Sequence, residues 1–135
     1  MCHTIYLHDG KLEISEIMKK ELPKANLAFL SACQTSAGDH NLPEEAVHLA
    51  AGMLAAGYRS VVATMWAISD SYAPDIAEMF YKNLSNDELT DGVVGLDIIG
   101  SARALHTAIQ ALRSDLDGEK EADLLTWVPY VQFGI

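Results

Sequence analysis

Two short apolar runs separated by a helix pattern constrain this chain most: "NLAFLSACQTSAGD" (residues 26–39) and "RSVVATMWAI" (residues 59–68). Each run is bounded by turn formers or small polar residues, and its apolar positions are consecutive rather than alternate. That pattern predicts strands buried on both faces, as inside a parallel sheet. Between them, "PEEAVHLAAGMLAAGY" (residues 43–58) opens with Pro43 and two acids and closes at Gly57. Pro and acids suit a first turn and Gly suits the residue just past a helix end, so a helix joins the two strands. Its small residues Ala50, Ala51, Gly52, Ala55 and Ala56 permit close packing of that helix on a sheet.

The flanking segments extend the alternation. "IYLHDGKLEI" holds two strand-like pieces around Asp9-Gly10, the pair favoured in a type I′ hairpin turn. "SEIMKKEL" predicts a short helix capped by Ser15 and followed by Pro23. In "SDSYAPDIAEMFYKNL", Ile76, Met79, Phe80 and Leu84 recur at helical spacing. After the "SNDELTDG" loop, a long helix is predicted with Ile98, Ala102, Leu105, Ile109 and Leu112 on one face. "DGEKEAD" reads as a solvated connection and "WVPYVQFGI" as a closing third strand. Strands alternating with helices predict an α/β fold with a mostly parallel sheet. Three core strands and a hairpin make a narrow sheet. The expectation is therefore the carboxyl-terminal part of a larger α/β domain, with amino-terminal strands missing and an edge that a partner completes.

Charge and composition exclude several functions. A formal net charge of -10 opposes direct binding of nucleic acid, which needs clustered Lys and Arg. No apolar run reaches the length of a membrane span, and "MCHTIYLHDGK" lacks the pattern of a secretory leader. The two cysteines, Cys2 and Cys33, form no CxxC pair, which fits a cytoplasmic protein. Cys2, His3 and His8 match no zinc spacing. The chain also has no glycine-rich phosphate loop or dinucleotide fingerprint, so neither metal nor cofactor is expected.

Cys33 stands where the first apolar run gives way to a small, polar loop, at the carboxyl end of a predicted strand. Open α/β sheets keep their chemistry at such ends. A cysteine there is either a small buried hydrophobe or a nucleophile, whose thiol must lose its proton to a neighbouring base. His40 and His48 lie near it in sequence, His40 in the loop and His48 on the predicted helix.

"NLAFLSACQTSAG", "AAGMLAAGYRSVVATMWAISDSYAPDIAEMFYKNL" and "WVPYVQFGI" resemble successive blocks of a CHAT domain, of the caspase and separase clan of cysteine peptidases. The hairpin segment "IYLHDGKLEISEI" resembles what precedes the cysteine strand in that family. The resemblance implies that residues 1–135 form one CHAT-like domain with a caspase-like three-layer sandwich and a His–Cys dyad. The family's cysteine falls on Cys33, in "LSACQT", and its histidine on His3, in "MCHT". Thr4 stands where the family has glycine, whose backbone N–H helps hold the oxyanion. The interval from His3 to Cys33 is shorter than the roughly 50 residues of caspases.

In separases, the residues after the second strand place an aspartate in the pocket for a basic side chain. The matching residues here are Trp66, Ile68, Ser69 and Asp70. A carboxylate at that place favours cleavage after Arg or Lys. Asp70 or Ser69 is alternatively the N-cap of the following helix. The implied function is a cysteine endopeptidase acting on a protein or peptide. The alternative is a truncated, inactive CHAT module used for interaction or regulation. Family relatives commonly carry helical repeats that recruit partners.

If Cys33 is activated at a strand end, iodoacetamide labels it faster than Cys2 at neutral pH. Labelling at the rate of a model thiol, or only after unfolding, identifies Cys33 as a structural cysteine instead.

Overall fold

A computed structural model of the chain describes residues 4–20, 22, 25–31, 42–66, 68, 71–85, 98–116 and 121–135. In chain order the elements are β1 (Thr4–Leu7), β2 (Gly10–Glu13), α1 (Ile14–Met18), β3 (Leu27–Leu30) and α2 (Leu42–Ala55). They continue with β4 (Ser60–Thr64), α3 (Ala73–Leu84), α4 (Ser101–Asp115), α5 (Glu121–Trp127) and β5 (Tyr130–Gly134). The protein has an α/β fold.

The two apolar runs lie side by side as β3 and β4. They pair in parallel from Leu27 opposite Ser60 to Leu30 opposite Ala63. All five residues of β4 are buried, as expected of a strand covered on both faces. The third strand departs from the sequence expectation. β5 is antiparallel to β4, with Thr64 opposite Tyr130 and Ser60 opposite Gly134, so the sheet is mixed and ordered β3-β4-β5.

Side chains alternate across the sheet, and each face carries its own core. Val62 joins Ile76 and Phe80 of α3 and Leu105 and Leu112 of α4, with Leu27 and Phe29 packed against them. Val61 joins Ala28, Ile17 of α1 and Ala50 and Met53 of α2, with Leu30 and Phe133 alongside. Helices thus line both faces. On α2 the small-residue face is partly as expected: Ala50, Gly52 and Ala56 are buried, whereas Ala51 and Ala55 are exposed. On α3, Ile76, Phe80 and Leu84 face the core at spacings of four, as their periodicity predicts. Phe80 is fully buried, and truncating such a ring typically costs about 3–5 kcal/mol. On α4 the buried face runs through Ala104, Leu105, Ala108 and Leu112. Ala102, expected on that face, is exposed.

Three local expectations are corrected. The hairpin forms, but its two-residue loop is His8-Asp9, and Gly10 pairs with Leu7 inside β2 without a positive φ. Helix α1 begins after Glu13, not Ser15. The Ser15 hydroxyl instead donates to Glu13 Oε2 at 3.2 Å. Residues 121–127, split in sequence between a solvated connection and a strand, form helix α5. The β1–β2 hairpin is a separate two-stranded sheet, fastened through Leu12 to the core that holds Ile17.

Gly57 closes α2 as predicted, with φ at 108°. A Cβ there would lie 3.1 Å from the Leu22 carbonyl oxygen, and Leu22 itself donates its N–H to the Ala56 carbonyl. Strain of this kind costs about 1–3 kcal/mol. Gly57→Ala is therefore expected to lower the urea midpoint by that equivalent with an unchanged m-value, as measured by equilibrium unfolding.

Candidate functional site

Parallel pairing makes β3 and β4 end at one edge of the sheet, where Leu30 lies opposite Ala63. The described residues that follow the strands, Ser31 after β3 and Met65 and Trp66 after β4, leave from this carboxyl edge. Because β5 is antiparallel, it begins there, with Tyr130 opposite Thr64. Among the described residues the edge is therefore bordered by Ser31, by Met65 and Trp66, and by the junction between α5 and β5.

The end of β3 is held in place by aromatic packing. The Phe29 ring lies 5.2 Å from that of Phe80, 5.8 Å from Tyr81 and 6.5 Å from Tyr130. Such pairs add about 0.5–1.5 kcal/mol each beyond the area they bury. Ser31, the next described residue after β3, is exposed. The chain after β4 is fastened to the α5–β5 junction. Met65 donates its backbone N–H to the Pro129 carbonyl at 2.9 Å. The Trp66 indole N–H donates to the Leu125 carbonyl at 3.2 Å. Ile68 is buried in the core with Ile76 and Tyr130.

Of the residues singled out in sequence, Cys33, His3, Ser69 and Asp70 lie outside the described residues, as does His40. Thr4 opens β1 opposite Glu13, in the hairpin sheet and not in the sheet of β3. His48 is exposed on α2. Among the described residues no strand pairs with the other side of β3. No group of three or more His, Cys, Asp or Glu gathers there in a way that suits a metal. No described helix is long and apolar enough to cross a membrane.

The structure adds what sequence reasoning missed. Helix α5 contributes one carbonyl acceptor, that of Leu125, and Leu124 and Leu125 on the helix and Val128 just after it are exposed and apolar. The signal available in sequence was the pair of acids Glu121 and Asp123 ahead of Leu124, Leu125 and Trp127, which suits a short helix start.

A family model described as "CHAT domain" matches residues 2–135, essentially the whole chain. No curated protein and no solved structure matches it.

One question left open by the sequence is answerable from the helix boundary. The N-cap of α3 is Tyr72, and it makes no side-chain capping bond. Asp70 and Ser69 precede that position by two and three residues in sequence. Asp70→Ala is accordingly expected to change stability by less than about 0.5 kcal/mol, where loss of a capping carboxylate costs about 1 kcal/mol. Thermal unfolding of the variant decides.

Proposed function

From the premise that the chain belongs to the CHAT domain family, related to caspase-like peptidases, we propose that it is a cytoplasmic cysteine endopeptidase domain that cleaves after a basic residue. One observation carries this reading beyond the family match. β3 and β4 are paired in parallel, so both strands end at the same sheet edge, and Cys33 and Asp70 follow those ends in sequence by three and six residues.

In the proposed reaction, His3 takes the proton of the Cys33 thiol and the thiolate sulfur adds to the scissile carbonyl carbon. The negative charge on the carbonyl oxygen is held by the backbone N–H groups of Cys33 and Thr4. Collapse breaks the C–N bond, and the imidazolium delivers its proton to the departing amine. The acyl-thioester is then attacked by water, whose proton passes to the imidazole. The C–S bond breaks, and the sulfur is reprotonated. Asp70, with Ser69 beside it in sequence, binds the guanidinium or ammonium of the residue before the cleaved bond.

A second reading has its own support. Strand β1, which begins at Thr4 directly after His3, pairs with β2 in a separate sheet. A histidine–cysteine dyad in this clan needs its two carriers side by side. That favours a non-catalytic CHAT module, with a partner protein completing the sheet at β3.

Matched Arg and Leu peptides separate the readings. Under the first, Cys33→Ala abolishes turnover. Asp70→Ala removes one partner of a desolvated pair, worth about 2–5 kcal/mol, and lowers kcat/KM for the Arg peptide by roughly thirty- to several thousand-fold. Labelling at Cys33 stays intact. An unchanged Arg/Leu ratio removes Asp70 from the site, and absence of turnover in the wild type selects the second reading.

A further inference from the structure

We infer that the exposed faces of α4 and α5 form one docking surface for a segment of a partner protein that carries carboxylates beside apolar side chains. The surface uses neither the peptidase residues nor the open side of β3. Helix α4 buries Ala104, Leu105, Ala108 and Leu112. Arg103, His106, Gln110 and Arg113 recur at spacings of three and four on the opposite face, and all four are exposed. At the rise of an α-helix this stripe is about 15 Å long. The chain has 19 Asp and Glu against 9 Lys and Arg, yet residues 98–114 hold no acid. Among the described residues neither Arg103 nor Arg113 is ion-paired.

Arg113 joins the basic stripe to an apolar patch. Its guanidinium carbon lies 4.6 Å from the centroid of the Trp127 ring on α5. Stacking fixes the guanidinium and leaves its N–H edge for a carboxylate, which it can meet with two parallel bonds. A group held in advance loses less freedom on binding. Trp127 lies one turn from Leu124, and Val128, whose N–H donates to the Leu124 carbonyl, continues that side of the helix. Leu124, Leu125 and Val128 are 43%, 54% and 42% exposed. Tryptophan and arginine are the side chains that most often carry binding energy at such surfaces.

Charge selects the occupant and its direction. Beyond Arg113 the sequence turns acidic, with Asp115, Asp117, Glu119 and Glu121. The partner's carboxylates therefore lie along α4 toward Arg103, and its apolar side chains lie on α5. A second copy docked through the same face would set arginine against arginine, and each copy carries a formal charge of -10. Nucleic acid supplies phosphates but no aliphatic side chain for Leu124, Leu125 and Val128.

The probe is a fluorescein-labelled peptide of glutamates followed by leucines, compared by anisotropy with its glutamine-for-glutamate counterpart at one ionic strength. The glutamate peptide is expected to bind saturably and more tightly than the glutamine peptide, against the net repulsion of the chain. Arg103→Gln should weaken the glutamate peptide by about two- to fivefold. Arg113→Gln, which also removes the stacked guanidinium, should weaken it by about tenfold. Neither should change the glutamine peptide as much, whereas Leu124→Ser should weaken both peptides alike. Arg103 and Leu124 are exposed, so these two variants decide if Arg113→Gln loosens α5. Absence of saturable binding, equal affinity for the two peptides, or a Kd that Arg103→Gln and Leu124→Ser leave unmoved overturns the inference. So does tighter binding of an oligonucleotide or an anionic phospholipid vesicle, and so does self-association in sedimentation that Arg103→Gln abolishes. Each of these results leaves the peptidase reading standing, because no residue of that reaction is altered.

Discussion

Strand β4 is the constraint on which the other elements depend. All of Ser60–Thr64 is buried, so each backbone N–H and C=O there needs a partner inside the protein. β3 supplies them on one side in parallel register and β5 on the other in antiparallel register. The same burial imposes a condition on Ser60, whose hydroxyl is fully enclosed. It lies 2.8 Å from the Ser101 hydroxyl and accepts from the Gln132 amide at 3.1 Å. An unpaired buried polar group costs about 1–3 kcal/mol. The first residue of α4 and the middle of β5 are therefore tied to the start of β4 by a polar requirement, in addition to apolar packing. A sliding of α4 along the sheet breaks the Ser60–Ser101 contact and leaves the buried Ser101 hydroxyl to satisfy, while Ser60 keeps its bond from Gln132.

The two faces of the sheet solve the packing problem differently. The α3–α4 face is filled by large groups, with Phe80, Ile76 and Leu84 fully buried and Phe29 joining the aromatic cluster. The α1–α2 face is built on Ala28, Ala50 and Ala56, so α2 sits close to the strands. Close approach also adds to the cost of a side chain in the turn after α2. Gly57 passes within 3.1 Å of the Leu22 carbonyl oxygen as counted from an added Cβ, and Leu22 is itself bonded to the end of α2. Both faces thus fix where β3 and β4 stop, which determines where their following segments leave the sheet.

What was legible in the sequence was what local physics dictates. Consecutive apolar residues gave β3 and β4, the Ile76–Phe80–Leu84 spacing gave the buried face of α3, and Gly57 gave the end of α2. What was not legible depends on contacts distant in sequence. Asp9-Gly10 favours a turn centred on that pair, but β2 runs extended from Gly10 straight into α1 and delivers Leu12 to the core. The loop therefore falls one residue earlier. The direction of β5 is not written in "YVQFG"; it follows from α5 returning the chain to the carboxyl edge before the strand starts. Helix α5 is held in part by contacts outside itself, from the Arg113 guanidinium to the Trp127 ring and from the Trp66 indole to the Leu125 carbonyl. Of the candidate site, the sequence offered Cys33, His3 and Asp70 by their chemistry; all three lie outside the described residues, and the structure gives only the sheet edge at which β3 and β4 end.

The reversal of β5 has a consequence for that edge. In a wholly parallel sheet every strand would deliver its outgoing chain to the carboxyl edge. Here the third position is occupied by an incoming chain, which reaches it through the carboxyl end of a helix. Groups at that end are carbonyl acceptors, and the Leu125 and Pro129 oxygens are the ones that take up Trp66 and Met65. The segment after β4 is thus fastened by its own donors, a side chain to the Leu125 carbonyl on α5 and a backbone N–H to the Pro129 carbonyl in the junction before β5. Donation from Met65 requires only an extended backbone and is open to any residue except proline. Donation from residue 66 requires a side chain long enough to reach a helix end and polar only at its tip. Tryptophan meets both demands while its ring covers apolar surface. A tryptophan at this position is thus accounted for by the antiparallel third strand, independently of any part it takes in catalysis.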